Sequence, residues 1–423
     1  MAPRFVQIHF LTSYAASLLN RDDAGFAKRI PFGGVSRTRV SSQCLKRHWR
    51  TFEGQNSLQS LGIPDTVRSR HTFEELVVQP LVRENHSPEL ARAATEALMN
   101  ELLGKSAKKT KTKEGDGAVE TSEEGKKTKS KKLASVENGP LQTGQITVLG
   151  RPEIDYLLSE ARALCISVKD VTKMEEAAKV RFGKEGRANL AALKNASGLS
   201  AALFGRMVTS DILSRGDAAV HVAHAFTVHA EETESDYFTA VDDLQGADEG
   251  SLGSGHLGTT ELTSGLFYGY VVVDVPLLTS NLTGCELKDW GQADRSLAGQ
   301  ILERLVHIIA TVSPGAKRGS TAPYAYASCM LVETGEAQPR SLANAFLRPV
   351  PGKGDLLQNA YSALTSHLKE LDQAFGAHET RQLLGISLPN ELRMAARAAE
   401  TLSLPQVASW LEAQIRSNPV GSR

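Results

Sequence analysis

Cysteine is scarce: Cys44, Cys165, Cys285 and Cys329 are the four in 423 residues, and no two stand in CxxC spacing. That excludes a zinc ribbon and a disulfide scaffold, and suits a reducing compartment. Long apolar runs are missing too. Nothing approaches the roughly 20 consecutive apolar residues needed to cross a bilayer, and MAPRFVQIHFLTSY at the start lacks a long hydrophobic region and reads as a first strand. The expected setting is the cytoplasm, with no membrane partner. Net charge is absent as well, 48 basic residues against 48 acidic. The length calls for two or more lobes.

One segment lacks charge of one sign. Lys28 to Arg50, KRIPFGGVSRTRVSSQCLKRHWR, holds seven Lys or Arg and no Asp or Glu. Concentrated positive charge in a neutral chain points to a phosphate backbone. Gly33 and Gly34 let the chain turn and bring N–H groups to a ligand, while Arg37 and Arg39 alternate as on one face of a strand. Ser41 or Ser42 caps a helix in which Leu45 and Trp49 form an apolar i,i+4 pair and Lys46 and Arg50 a cationic one. Like charges near a helix N-terminus cost stability unless an external anion offsets them.

Large residues are nearly absent from Lys105 to Pro140, where ten Lys face six Asp or Glu. Such a stretch cannot offset the entropy of ordering and is expected to be a flexible insertion. Around it, Ser87-Pro88 opens a helix with Leu90, Ala94, Leu98 and Leu102, and Pro152 to Cys165, Val168 to Val180 and Arg187 to Leu203 read as further helices. Strands are predicted over Ala219 to Ala230, Gly265 to Val275 and Tyr324 to Glu333, with a helix over Arg295 to Val312 and helix again from Asp355 onward. The acidic, Gly-rich piece between the first two strands is too long for a tight turn, so they should extend into an arm. The order is compatible with an α+β, RRM-like sheet carrying large insertions.

No metal or other cofactor is expected. His221 and His229 share a strand parity while His224 points to the opposite face. No RNP1-like aromatic motif appears, which excludes an ordinary RRM-type RNA-binding protein.

Taken together, NRDD at 20–23, FGGVSRTRVSSQCLKRHWR at 32–50, GRMVTSD at 205–211, HAFTVH at 224–229, DYFTAVDDL at 236–244, HLGTTELTSGLFY at 256–268, PGAKR at 314–318 and SLANAF at 341–346 resemble the CasC family, backbone subunits of type I-E Cascade, the CRISPR RNA-guided surveillance complex. The chain departs from that family in its lysine-rich insertion, in Cys44 where serine is usual, in a longer arm tip and in its C-terminal tail.

The resemblance implies an RRM-like (ferredoxin-like) palm, a helical fingers insertion and a long β-arm, the thumb. Residues 1–59 would begin the palm, 60–205 form the fingers around the 105–140 segment, 206–350 continue the palm with the thumb at about 228–266, and 351–423 form a C-terminal helical region. Implied partners are crRNA, target DNA, further copies of the chain in a filament, other Cascade subunits and a recruited nuclease-helicase.

Implied phosphate ligands are Arg21, Lys28, Ser41, Gln43, Lys46, Arg47 and Arg50. Met207, after Arg206 and near Thr209, would meet bases from the palm, with Phe238, Thr239 and Val241 inserting from the thumb. From the residues themselves, Lys317 and Arg318 after Pro314-Gly315 are either surface charges or reach the nucleic acid from a loop. Thumb acids from Glu231 to Asp243 would meet basic residues of the adjacent subunit. Such tools ignore sequence, as a guide-holding scaffold must. The rival reading is a metal-dependent RNA endonuclease using Asp22 or Asp23, which lie beside the basic segment.

Overall fold

The computed structural model describes residues 2–103, 140–183, 186, 188–190, 198–206, 216–241 and 254–416, with 239–241 and 254–257 as backbone alone. The expected insertion, apart from Pro140, and the positions Met207 and Thr209 lie outside the described residues. The fold is α+β with an antiparallel sheet and many helices. Two units divide the chain: Met1–Ile63 with Ala202–Gly205 and Asp217–Arg423, and Pro64–Ala201 with Arg206–Gly216.

The strands are β1 (Phe5–Ser17), β2 (Arg29–Phe32), β3 (Val35–Val40), β4 (Thr66–Ser69), β5 (Thr147–Gly150), β6 (Val220–Val222), β7 (Ala225–Thr227), β8 (Glu232–Val241), β9 (Ser254–Asp274), β10 (Cys329–Gly335) and β11 (Thr380–Gly385). In the first unit the order is β11-β10-β1-β9-β7-β3-β2, with β6 and β8 also paired to β9. β1 lies between β10 and β9 and is buried on both faces along most of its length, with Val6 and Ile8 on one side and Gln7, His9 and Leu11 on the other. Helices therefore cover both faces. Leu11, Tyr268, Leu331 and Leu383 share a core with α7 (Leu356–Phe375) and α8 (Asn390–Ala395), while α6 (Ser296–Thr311) packs with α9 (Leu404–Arg416) and with α1 (Ser42–Arg50).

The second unit pairs β4 with β5 and builds a helical core from α2 (Pro88–Leu103), α3 (Arg151–Ser167) and α4 (Met174–Arg181). Pro88 and Pro152 stand in the first turns of their helices, where a missing N–H costs nothing.

Three expectations change. The C-terminal region is not all helix: β11 pairs with β10 along Cys329↔Gly385 to Thr334↔Thr380, its alternation masked in sequence by the buried Arg381. The run from Ala219 to Ala230 is two strands, because the register slips by one between Val222↔Val271 and Phe226↔Tyr268. Such a bulge reverses the alternation, so the parity argument for His221, His224 and His229 does not carry across it. Finally, Tyr324 to Ser328 joins no ladder, and β10 begins at Cys329.

Gly33 and Gly34 form the two-residue turn between Phe32 and Val35, with φ of +65° and +82°. Left-handed values at both central positions mark a type I′ hairpin turn. A Cβ on Gly33 would lie 1.6 Å from the Leu347 carbonyl oxygen, whereas one on Gly34 meets nothing within 4 Å. The glycines thus serve a hairpin and a close backbone approach, and nothing about them requires a ligand. Gly33→Ala is expected to cost about 3 kcal/mol or more in a urea melt, against about 1–2 kcal/mol for Gly34→Ala, which bears the left-handed strain alone.

Candidate nucleic-acid interface

The first strand ends at a loop tied to both the hairpin and the basic helix. Asn20 accepts through its side chain from the Ser41 N–H at 2.9 Å and through its carbonyl from Lys28 N–H at 2.9 Å. Arg21 bridges to Ala27, and Arg39 N–H donates to the Lys28 carbonyl at 2.8 Å. Ser41 caps α1, its hydroxyl accepting from Cys44 N–H at 3.3 Å, so it holds the helix start instead of a free phosphate ligand. Ser42 Oγ donates to Gln43 Oε1 at 3.3 Å.

Leu45 and Trp49 are buried under α1, which turns Gln43, Arg47 and Arg50 along another face, Gln43 and Arg47 exposed and Arg50 half-buried. The first turn contains no acid. Lys46 is half-buried, its ammonium 5.8 Å from the Phe204 ring centroid, and is less available than the sequence suggested.

The charges that act on the groups here are all cationic: Lys28, Arg47 and Arg318 on Cys44, Arg318 and Arg47 on His48, Arg39 and Lys28 on His224. Burial pushes the Cys44 thiol up to about 11 despite those cations, so it is a protonated, poor nucleophile. Burial, followed by the cations, holds His48 and His224 below the usual imidazole range and leaves them neutral at pH 7. Lys28, Arg39, Arg47 and Arg318 thus converge from the loop, β3, α1 and the segment after Pro314.

Several expected ligands are not available. Arg37 is fully buried; it donates to the carbonyls of Phe32 at 3.1 Å, Thr227 at 2.9 Å and Phe346 at 2.9 Å, and so knits the hairpin to the core. Arg39, two residues on, donates to the Arg29 carbonyl at 3.1 Å and to His224 Nδ1 at 3.0 Å and stays partly accessible. Arg206 is buried against Glu153 at 2.7 Å in the second unit, as a structural ion pair. Arg29 is spent on Glu231 at 2.9 Å and on Glu261. Two arm acids therefore pair within the chain, which removes Glu231 from the set expected to meet a neighbouring copy.

The arm itself is a two-stranded ribbon. β8 pairs with β9 from Glu232↔Ser264 to Val241↔Ser254, while β1 leaves β9 at Ser17↔Thr263. Tyr237 and Phe238 are exposed on it, and Thr239 and Val241 follow on the β8 backbone. Phe238 faces Gly258, whose missing Cβ gives the ring its place. Lys317 Nζ lies 4.8 Å from that ring and donates to Thr260 Oγ1 at 2.8 Å, so Lys317 braces the arm.

The three histidines diverge: His221 Nε2 meets the Ala218 carbonyl, His224 meets Arg39, and buried His229 accepts from Leu266 N–H. Asp22 accepts from Ala24 N–H at 3.0 Å and Phe26 N–H at 2.9 Å, shaping its loop, and Asp23 is exposed beside it. The sequence reading missed His48. It placed Lys317 and Arg318 together, but that the two point to different neighbours, Lys317 to Thr260 Oγ1 and Arg318 to the Ser313 carbonyl, is not a property of sequence.

Comparison with known proteins places these features in a family. No curated protein matches the chain. Among solved structures, a chain of "CRISPR RNA-guided surveillance complex, pre-nicking" superposes with a TM-score of 0.71 at 25% identity, covering 97% of this chain and 100% of that one. A chain of "CRISPR RNA-guided surveillance complex" superposes at 0.64 and 21% identity, covering 97% and 99%, and speaks to the fold alone. The family model described as CT1975-like protein matches residues 6–410, and the chain belongs to that family.

Proposed function

We propose that this chain is a non-catalytic backbone subunit of a CRISPR RNA-guided surveillance complex of type I-E, holding guide RNA by its phosphates and presenting it to target DNA. The observation that carries the reading is the convergence of Lys28, Arg39, Arg47 and Arg318 around the start of α1, with no acid among the charges acting there. Phosphate contacts of this kind are indifferent to sequence, as a scaffold for many different guides requires. An RRM-like palm is supported by the order β10-β1-β9-β6, with α1 following β1 and α6 lying between β9 and β10, the arrangement of a split βαβ pair. The ribbon of β8 and β9 is the proposed thumb and the second unit the proposed fingers. Further copies, other complex subunits and a recruited nuclease-helicase are the proposed partners, the last of them cutting DNA.

Against the nuclease reading, Asp22 already accepts two backbone hydrogen bonds. The test is the nucleic acid that copurifies with the full chain. RNA of one discrete length, stable when Mg²⁺ is added, is the expected result. Heterogeneous RNA would remove the guide-specific role, and Mg²⁺-dependent trimming lost in Asp23→Ala would make the protein an enzyme.

A further inference from the structure

We propose that Tyr324 and Tyr326 form a stacking site for an unpaired base of the RNA strand whose phosphates lie on the cationic face; the inference rests on the reading above. Each residue is 73% exposed. Single exposed aromatics are ordinary, but these two sit on one side of a segment whose backbone is pinned. Pro323 and Ala327 are buried and Ala325 half-buried, so the alternation turns residues 324 and 326 outward together.

Ser313 Oγ donates to the Ala325 carbonyl at 3.0 Å and accepts from Ala325 N–H at 2.9 Å. Tyr324 N–H donates to Ala322 at 2.7 Å, Ala327 N–H to Ala310 at 2.8 Å. A fixed backbone lowers the entropy lost when a ligand stacks.

Residues two apart on an extended chain stand about 6.6 Å apart. That is close to twice the roughly 3.4 Å spacing of stacked bases, so one base fits between the rings. Neither ring is paired with another aromatic among the described residues, and both residues are largely exposed. Charge supplies the occupant's identity. Arg318 donates from its guanidinium to the carbonyl of Ser313, the residue whose hydroxyl holds Ala325, at 3.4 Å, and it is also the cation that acts on Cys44 and His48 beside Arg47.

 Arg318 opens a single helical turn, Arg318–Thr321, which Ala322 closes by donating its N–H to the Arg318 carbonyl at 2.9 Å. The other exposed residues between 315 and 327 are Ala316, Gly319, Ser320 and Ala322, too small to make an apolar patch for a protein partner. Two exposed aromatic residues on a segment tied to Arg318 match base stacking next to phosphate contacts.

The test compares the full chain with a Tyr324→Ala/Tyr326→Ala variant on two probes, a short oligouridylate and an abasic oligomer of the same length. Loss of stacking should weaken oligouridylate binding about 10- to 100-fold, leave abasic binding and the salt slope unchanged, and be largely rescued by Tyr324→Phe/Tyr326→Phe. Equal affinity of wild type and Ala variant for oligouridylate overturns the proposal, as does an equal loss on both probes. So does a loss confined to self-association in sedimentation, which would make the tyrosines a contact between copies. Wild type that binds neither probe overturns the RNA-binding reading together with this one.

Discussion

Replacing Arg47 and Arg50 together with alanine is expected to weaken RNA binding about tenfold for each lost phosphate contact, for every RNA sequence alike. The dependence of log affinity on log salt should flatten by about 1.4, since each single-strand phosphate contact contributes about 0.7. Arg47 is exposed and acts on the same thiol as Lys28 and Arg318, which places it in the cationic face. Lys46 is left out of the pair because it lies over Phe204. Folding should survive, for Leu45 and Trp49 carry the packing of α1. Filter binding over a salt series checks the result; an unchanged affinity and slope would reduce the face to a solvated surface.

Glu333→Gln is expected to destabilise the first unit by about 3–5 kcal/mol, the cost of breaking a buried ionic network by removing one partner. Glu333 is fully buried on β10 and accepts from His9 at 3.0 Å, from Arg340 at 2.6 Å and from Arg381 at 2.7 Å. Because an ionised carboxylate only accepts, His9 carries its proton on Nε2, leaving Nδ1 to accept from the Tyr268 hydroxyl at 2.9 Å. Burial opposes ionisation of Glu333, but the hydrogen bonds from His9 and Arg340 and the Arg340 charge outweigh it and hold the carboxyl far below its ordinary value. Burial, ahead of the opposing pull of Glu333, lowers His9.

Both shifts act in the same direction with pH. A depressed carboxylate contributes stability that is present above the unfolded value of 4.5 and fades as pH falls below it, while a depressed imidazole resists protonation that the unfolded chain accepts below 6.5. Urea melts should show stability falling from pH 7 downward, first through the His9 window and more steeply below pH 4.5. In Glu333→Gln the steeper acid limb should shrink. A variant with wild-type stability at pH 7 would mean that the network contributes nothing.

Local features were legible in the chain before any contact was known. The Ser41 cap, the Leu45 and Trp49 stripe, the Pro88 and Pro152 helix starts and the apolar period of α6 depend on neighbours within a turn or two. β11 was not legible, because Arg381 occupies a buried position where alternation calls for an apolar residue, held there by Glu333 and Asp372. The bulge between β6 and β7 was hidden as well, since a one-residue slip leaves no mark in composition.

The sequence by itself determined that positive charge is concentrated between Lys28 and Arg50, that a capped helix follows a glycine turn, and that an arm joins two strands. Only the tertiary structure decided which of those charges meet water. Arg37 and Arg39 stand at equivalent positions of one strand, yet the first is buried under carbonyls 190 and 309 residues away and the second reaches toward His224. A guanidinium is sequestered when enough acceptors converge on it, and that convergence is set by distant segments of the chain, whereas caps and periodicity are satisfied by near neighbours.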